Sequence, residues 1–290
     1  GGVDEISGKQ VGPKYRPITS EYLDYDEVWE KYKDMMKWLA GVYVNALNII
    51  HYMHDKYCYE KLQMALHDKQ VRRWFATGIA GFSVVADSLS AIKYAKVKPI
   101  RDENGITVDF EVEGDFPKYG NDDDYADDLM QDVFYLYHDL ITGRPTMRGG
   151  KYGVDMLPTT CHVYFGDVIG ATANGRKAHI PVSEGISPEK SADVNGPTAA
   201  ANSVSRLDHF IASNGTLFNQ KFHPSALSGR EGLEKFVGLI QSYFDQKGSH
   251  MQFNVVSRET LLDAQEHPEQ YKHLVVRVAG YSALFTTLSR

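Results

Sequence analysis

Cysteine is scarce: only Cys58 and Cys161 occur in 290 residues, and they lie far apart. A disulfide framework is not expected, and a reducing cytoplasm is the default compartment. Long apolar runs are also missing. None approaches the roughly 18–20 residues of a membrane span, and no signal peptide opens the chain. The net charge is −7. Without a face rich in Lys and Arg, nucleic acid is not an expected partner, and neither is an anionic membrane surface. The chain begins Gly1-Gly2-Val3-Asp4-Glu5 with no methionine and stops at Arg290, so both ends are expected to be cut. Apolar and aromatic residues, by contrast, are plentiful: 42% of the chain is hydrophobic, with three Trp, 18 Tyr and 13 Phe. That builds a large core, as one α/β domain or two smaller ones.

Residues 1–24 read as an irregular lead-in broken by Gly12-Pro13 and Pro17. From Asp26 to about Tyr57, apolar residues spaced three and four apart (Val28, Tyr32, Met35, Leu39, Val42, Ala46, Ile49) predict a long helix, with Gly41 as a candidate kink. A helix is predicted over Ser83–Val97, a turn over Lys98–Gly105, and a strand over Thr107–Glu113 with Val108, Phe110 and Val112 inward. The acidic run Asn121–Asp124 reads as a solvated loop and N-cap for a helix over Tyr125–Ile141. A loop over Thr142–Gly153 leads to a predicted strand at Thr159–Phe165 and a turn at Asn174–Lys177. Beyond it, a helix opens at Gly196-Pro197, a strand covers Gly215–Lys221 and an amphipathic helix Arg230–Gln246. A strand at Met251–Val256 precedes a short helix capped at Ser257 and ended by His267-Pro268. Helices alternating with short apolar strands give an α/β class, layered or barrel-like.

Candidate chemistry is sparse along most of this length. His51 and His54 have a helical metal spacing, but no third ligand stands nearby and the HExxH pattern is absent, so packed histidines are the expectation. No metal site is expected. Cys161 beside His162 suggests an activated thiol, yet neighbours in a strand face opposite ways and such a pair must meet in space. Cys58 reads as a small buried residue.

The last stretch, Leu274–Arg290, is the informative one. A short β-branched run ends at Gly280, and a second apolar run, Ala283–Phe285, follows. Taken alone, Gly280 is a turn glycine. However, Arg277-Val278-Ala279-Gly280-Tyr281-Ser282-Ala283-Leu284-Phe285 resembles the C-terminal signature of the glycyl radical enzymes, the family of pyruvate formate-lyase. Residues 1–125 resemble pyruvate formate-lyase itself through GGVDE…QVGPK, MHDKYCYEKLQMALHD, GIAGFSVVADSLSAIKYAKVKPIRDENG and DFEVEGDFPKYGND. Residues 144–290 are more similar to dehydratase and decarboxylase relatives, through RGGKYGVDMLPTTCHVYFGDVIGATANGRKA, SEGISPEKSADVNGPTAAANSVSRLDH and NGTLFNQKFHP.

The resemblance implies the second half-barrel of an α/β barrel with surrounding helices. Residues 1–150 would be the C-terminal part of the formate-lyase domain and residues 151–290 the glycyl radical domain, the two forming one continuous structural unit. It implies radical storage at Gly280, with Arg277, Val278, Ala279, Tyr281 and Ser282 supporting the loop. The radical would be installed by a separate activating enzyme that uses S-adenosylmethionine and an iron–sulfur cluster, under anaerobic conditions. The family's catalytic cysteine lies upstream of GGVDE and is not in this sequence; neither Cys58 nor Cys161 matches its context. His67 resembles a position near coenzyme A. The implied activity is formate C-acetyltransferase, pyruvate and coenzyme A giving formate and acetyl-CoA, in a homodimer when full length. The alternatives are a dehydratase or decarboxylase of a small polar substrate, and a non-catalytic subunit that donates its radical to a partner.

Overall fold

The structure is a computed structural model that describes all residues except 1, 5, 58–61, 63–71, 158–159, 279 and 289–290. Helix α1 spans Tyr25–Lys56. The Asp24 carboxylate accepts from the Glu27 amide at its start (2.9 Å), and acidic residues occupy its first turn and basic ones its last, matching the helix dipole. It runs unbroken through Gly41, where a kink was expected. The missing side chain instead makes room for Arg144, whose Nη1 would lie 3.4 Å from a Cβ there. Arg144 donates to Lys37 O and to Leu140 O, both at 2.8 Å, bolting α1 to the helix that precedes Arg144.

Strand β1 (Trp74–Gly78), which periodicity did not reveal, leads into helix α2 (Phe82–Tyr94), buried along most of its length. The chain leaves α2 earlier than expected. Lys96–Arg101 is strand β2, not the end of a helix and a turn, and it pairs antiparallel with β3 (Thr107–Glu113). Pro99 is tolerated because β2 is an edge strand of a two-stranded sheet. The reversal falls at residues 102–105, where Asp102 Oδ1 accepts from the amides of Asn104 and Ile106. Phe110 and Val112 pack inward as expected; Val108 is exposed.

Helix α3 (Asp124–Thr142) is capped by Asp123, whose carboxylate accepts from the Tyr125 and Ala126 amides. Strand β4 (Lys151–Asp155) begins inside the expected loop and pairs in parallel with β1, so the chain on either side of residue 150 shares one sheet. Helix α4 (Cys161–Val168) replaces the strand expected at Thr159–Phe165. Strand propensity is context-dependent and did not decide here; within the helix Gly166 lies against the Ile180–Pro181 backbone, too close for any Cβ. The irregular stretch that follows is gathered by buried Arg176, which donates to the carbonyls of Lys177, Ile180 and Gly170.

Helix α5 (Gly196–Ser205), strand β5 (Phe218–Phe222), helix α6 (Gly229–Asp245), strand β6 (Met251–Val255) and helix α7 (Arg258–Glu266) then follow close to expectation. β5 and β6 are parallel, and an isolated parallel bridge, Met156 to Thr216, stands between them and the β1–β4 pair. A terminal hairpin of β7 (Val275–Arg277) and β8 (Ser282–Leu284) closes the order. One main core joins α1, α2, α3, β1, β4 and β5 through Phe75, Phe82, Phe134, Tyr137, Val154 and Phe218. Phe82 meets Phe134 edge-on at 5.7 Å.

Among the described residues, Asp87, Asp127 and Asp155 are buried carboxyl groups. Asp87 of α2 is 1% exposed and accepts the Tyr119 amide at 2.9 Å. Burial pushes Asp87 up to about 8 and Asp127 of α3 up to about 7. A carboxyl that holds its proton more tightly when folded stabilises most below its unfolded value of 3.8; that stabilisation drains away as the pH rises toward about 8. Asp87→Asn keeps an oxygen for the Tyr119 amide and removes the titration. It is expected to flatten the fall in thermal stability between pH 5 and pH 8, leaving the variant the more stable protein at pH 8. The gain should be about 2–4 °C in Tm per kcal/mol for a domain of this size. Thermal unfolding across that range checks this, and an unaltered slope would count against a protonated Asp87.

Candidate active site

Strands β5 (FNQKF) and β6 (MQFNV) are in register from Phe218↔Met251 to Phe222↔Val255. Side chains alternate along a strand, so the pair has two unlike faces. On one, Phe222 and Phe253 meet Phe236 of α6 edge-on, with ring distances of 4.7–5.8 Å among the three, beside Gln220, which donates to Pro197 O. On the other stand Asn219, Lys221, Gln252 and Asn254. Parallel sheets ordinarily bury apolar side chains on both faces; this polar face needs hydrogen-bonding partners instead.

The terminal hairpin supplies them. Its register is Val275↔Leu284, Val276↔Ala283 and Arg277↔Ser282, and Val278 N–H donates to Tyr281 O at 2.8 Å. So short a reversal demands a residue at positive φ, and Gly280 has φ +75°. Arg277 lies between the hairpin and β6. Its Nε donates to Gln252 Oε1 (2.6 Å) and its Nη1 to Ser282 Oγ (3.3 Å). Gln252 donates onward to Asn219 Oδ1, and Asn219 Nδ2 to Glu184 Oε1 (2.6 Å). Asn254 brackets the Arg277 peptide, accepting its N–H (2.7 Å) and donating to its C=O (2.5 Å). At the far end of this chain of bonds, burial pushes Glu184 above the usual carboxylate range, opposed by nearby His162 and by the Asn219 amide.

Of the residues expected to matter, Arg277, Val278, Gly280, Tyr281 and Ser282 meet in this hairpin, with Gly280, Tyr281 and Ser282 exposed. Ala279, His67 and Cys58 lie outside the described residues. Cys161 is an exposed free thiol on α4. Consecutive helical positions diverge by about 100°, so Cys161 and His162 still point apart, for a helical reason and not the strand reason. The His51 ring packs on Phe75 at 3.9 Å. Among the described residues, no group of three or more His, Cys, Asp or Glu is placed to hold a metal ion, and no helix is long and apolar enough to cross a membrane. The residues that reading the sequence missed are Asn219, Gln252, Asn254 and Glu184. For Gln252 and Asn254 the signal was polar residues at alternate positions of β6; Asn219, in the polar run Asn219–Lys221, and Glu184, outside the strands, carried none.

Comparison with known proteins places the chain as a whole. Residues 1–166 match the pyruvate formate lyase-like family and residues 182–286 the glycine radical family. The PFL-like enzyme TdcE of Escherichia coli (strain K12) is 46% identical over 297 aligned positions, covering 100% of this chain and 39% of TdcE. A solved structure concerned with 1,2-propanediol dehydration in Roseburia inulinivorans aligns with TM-score 0.85 at 38% identity, over 100% of this chain and 40% of that one. The B12-independent glycerol dehydratase of Clostridium butyricum, in its glycerol-bound form, aligns with TM-score 0.82 at 39% identity, over 99% of this chain and 39% of that one. The chain thus spans about two-fifths of the length of these relatives. It belongs to the glycyl radical enzyme family.

Proposed function

We propose that this chain is the radical-storing part of a glycyl radical enzyme, with Gly280 as the storage residue. The observation that carries the reading is the hairpin tip. A glycine stands there at positive φ, exposed, inside a segment that matches the glycine radical family. Removing one Cα hydrogen leaves an unpaired electron that spreads over the two flanking amide groups as the carbon flattens. A Cβ would resist that flattening and would also be strained at this φ. An activating partner that uses S-adenosylmethionine and an iron–sulfur cluster would reach the carbon with the hairpin lifted from its seat, and the carbon would return with it. The half-barrel arrangement is supported by the two parallel strand pairs and the Met156–Thr216 bridge between them.

For the whole protein, radical cleavage of a 2-oxo acid such as pyruvate, with coenzyme A taking the acyl group, is supported by the 46% identity to a PFL-like enzyme. The second reading, dehydration of a small diol or similar polar substrate, is supported by the fold likeness to the two dehydration structures at 38% and 39% identity. The expected coenzyme A neighbour, His67, lies outside the described residues, so no step is assigned to it.

Anaerobic activation of the full-length protein is expected to give a doublet electron paramagnetic resonance signal. Gly280→Ala should abolish it, and exposure of the activated protein to air should cut the chain at residue 280, read by mass spectrometry. No doublet, or an unchanged one in Gly280→Ala, would falsify the storage role. Product analysis then separates the chemistries. Formate and acetyl-CoA in equal amounts from pyruvate are expected; an aldehyde formed from a diol with loss of water, and no acetyl-CoA, would transfer the assignment to the dehydratase reading.

A further inference from the structure

Among the described residues, strands β7 and β8 pair only with each other, so no main-chain ladder joins the hairpin to the rest of the protein. A two-stranded hairpin alone is marginal in water. Its attachment therefore falls to side chains, and few are available. Val276 is buried at 8% exposure, while Val275, Leu284 and Tyr281 are each more than 40% exposed. The polar attachment runs through two residues of β6. Asn254 offers its amide group as a one-residue imitation of a neighbouring strand, exchanging two hydrogen bonds with the Arg277 peptide. Gln252, on the same face and buried, holds the Arg277 guanidinium and is itself held by Asn219.

We propose that Asn254 and Gln252 are positioning residues that form a latch, setting how often the Gly280 hairpin leaves β6. Its meaning for catalysis rests on the storage role proposed above, but its physical content does not. The alignment is specific. Asn254 satisfies both groups of the Arg277 peptide only when Arg277 sits opposite it, and that register places Gly280 three residues further along a tight reversal. The latch is also separable. Every group it joins can be taken up by water once the hairpin lifts, whereas detaching a strand held by a main-chain ladder would break several bonds at once. An amide side chain therefore gives what a ladder would not: a defined closed position with a low barrier to release.

The test compares hydrogen exchange over residues 274–288 with exchange over the buried helix α3 in the same full-length protein. Asn254→Ala is expected to accelerate exchange in the hairpin, with roughly a ten-fold rise in the open population for each hydrogen bond lost, and to leave α3 unchanged. Asn254→Asp, which keeps only the acceptor, should fall between. If Asn254→Ala does not fold, Asn254→Asp and Gln252→Asn carry the same comparison. Hairpin exchange that stays at the wild-type rate, or rises only in step with α3, overturns the latch. In activated protein the variant should acquire the radical doublet faster and turn over less per radical. A parallel loss of both would also overturn it, as would a simple rise of both. If wild-type protein never yields a doublet, the storage role fails and exchange alone decides the latch.

Discussion

The arrangement of the C-terminal third depends on one constraint, that the β5–β6 pair presents an apolar face and a polar face. The apolar face is satisfied by Phe236 and the rest of α6. The polar face could not be left dry and unpaired, because a buried amide without a partner costs on the order of 1–3 kcal/mol. It is satisfied by Arg277 on one side and Glu184 on the other, linked through Asn219 and Gln252. The hairpin is thus located by polar complementarity more than by apolar burial. That is why the exposed glycine ends up at a defined place although little hydrophobic surface holds it there.

This contrasts with the interior. The main core draws on residues from both sides of residue 150, and β1 pairs with β4 across the same point. Residues 1–150 and 151–290 are joined across that point by a parallel strand pair and by the Phe75–Tyr152 ring contact. The energetic boundary lies further on, where burial thins out. α6 buries only Tyr243 and α7 only Ala264. Local opening follows the density of buried contacts, so the hairpin stands at the loose end of the gradient and α2–α3 at the tight end.

How far the sequence disclosed this depended on the kind of information each element carries. The helices α1, α3, α6 and α7 were legible because their signals are local: three- and four-residue apolar spacing and the capping residues Asp123 and Ser257. Strand β2 was not, because Pro99 reads as a breaker until its edge position is known. α4 was misread because β-branched residues suggest a strand, and that propensity is context-dependent. At the site, Gly280 was legible as a reversal and through resemblance. Asn254 was not, since its partner lies 23 positions away and no local pattern joins the two.

The mixture of resemblances has a physical sense of its own. Proteins concerned with different reactions align with essentially this whole chain at similar identity, 46% for a PFL-like enzyme and 38–39% for two structures of dehydration. On the storage role proposed above, a stretch that houses the glycine, its hairpin and the strands that seat it would answer to demands common to these reactions. Those demands are a carbon without a side chain, a backbone at positive φ, and a seat that holds firmly enough to protect and loosely enough to open. On that same storage role, the polar face of β5–β6 would serve the hairpin whatever the substrate, because its bonds run to Arg277 on one side and Glu184 on the other.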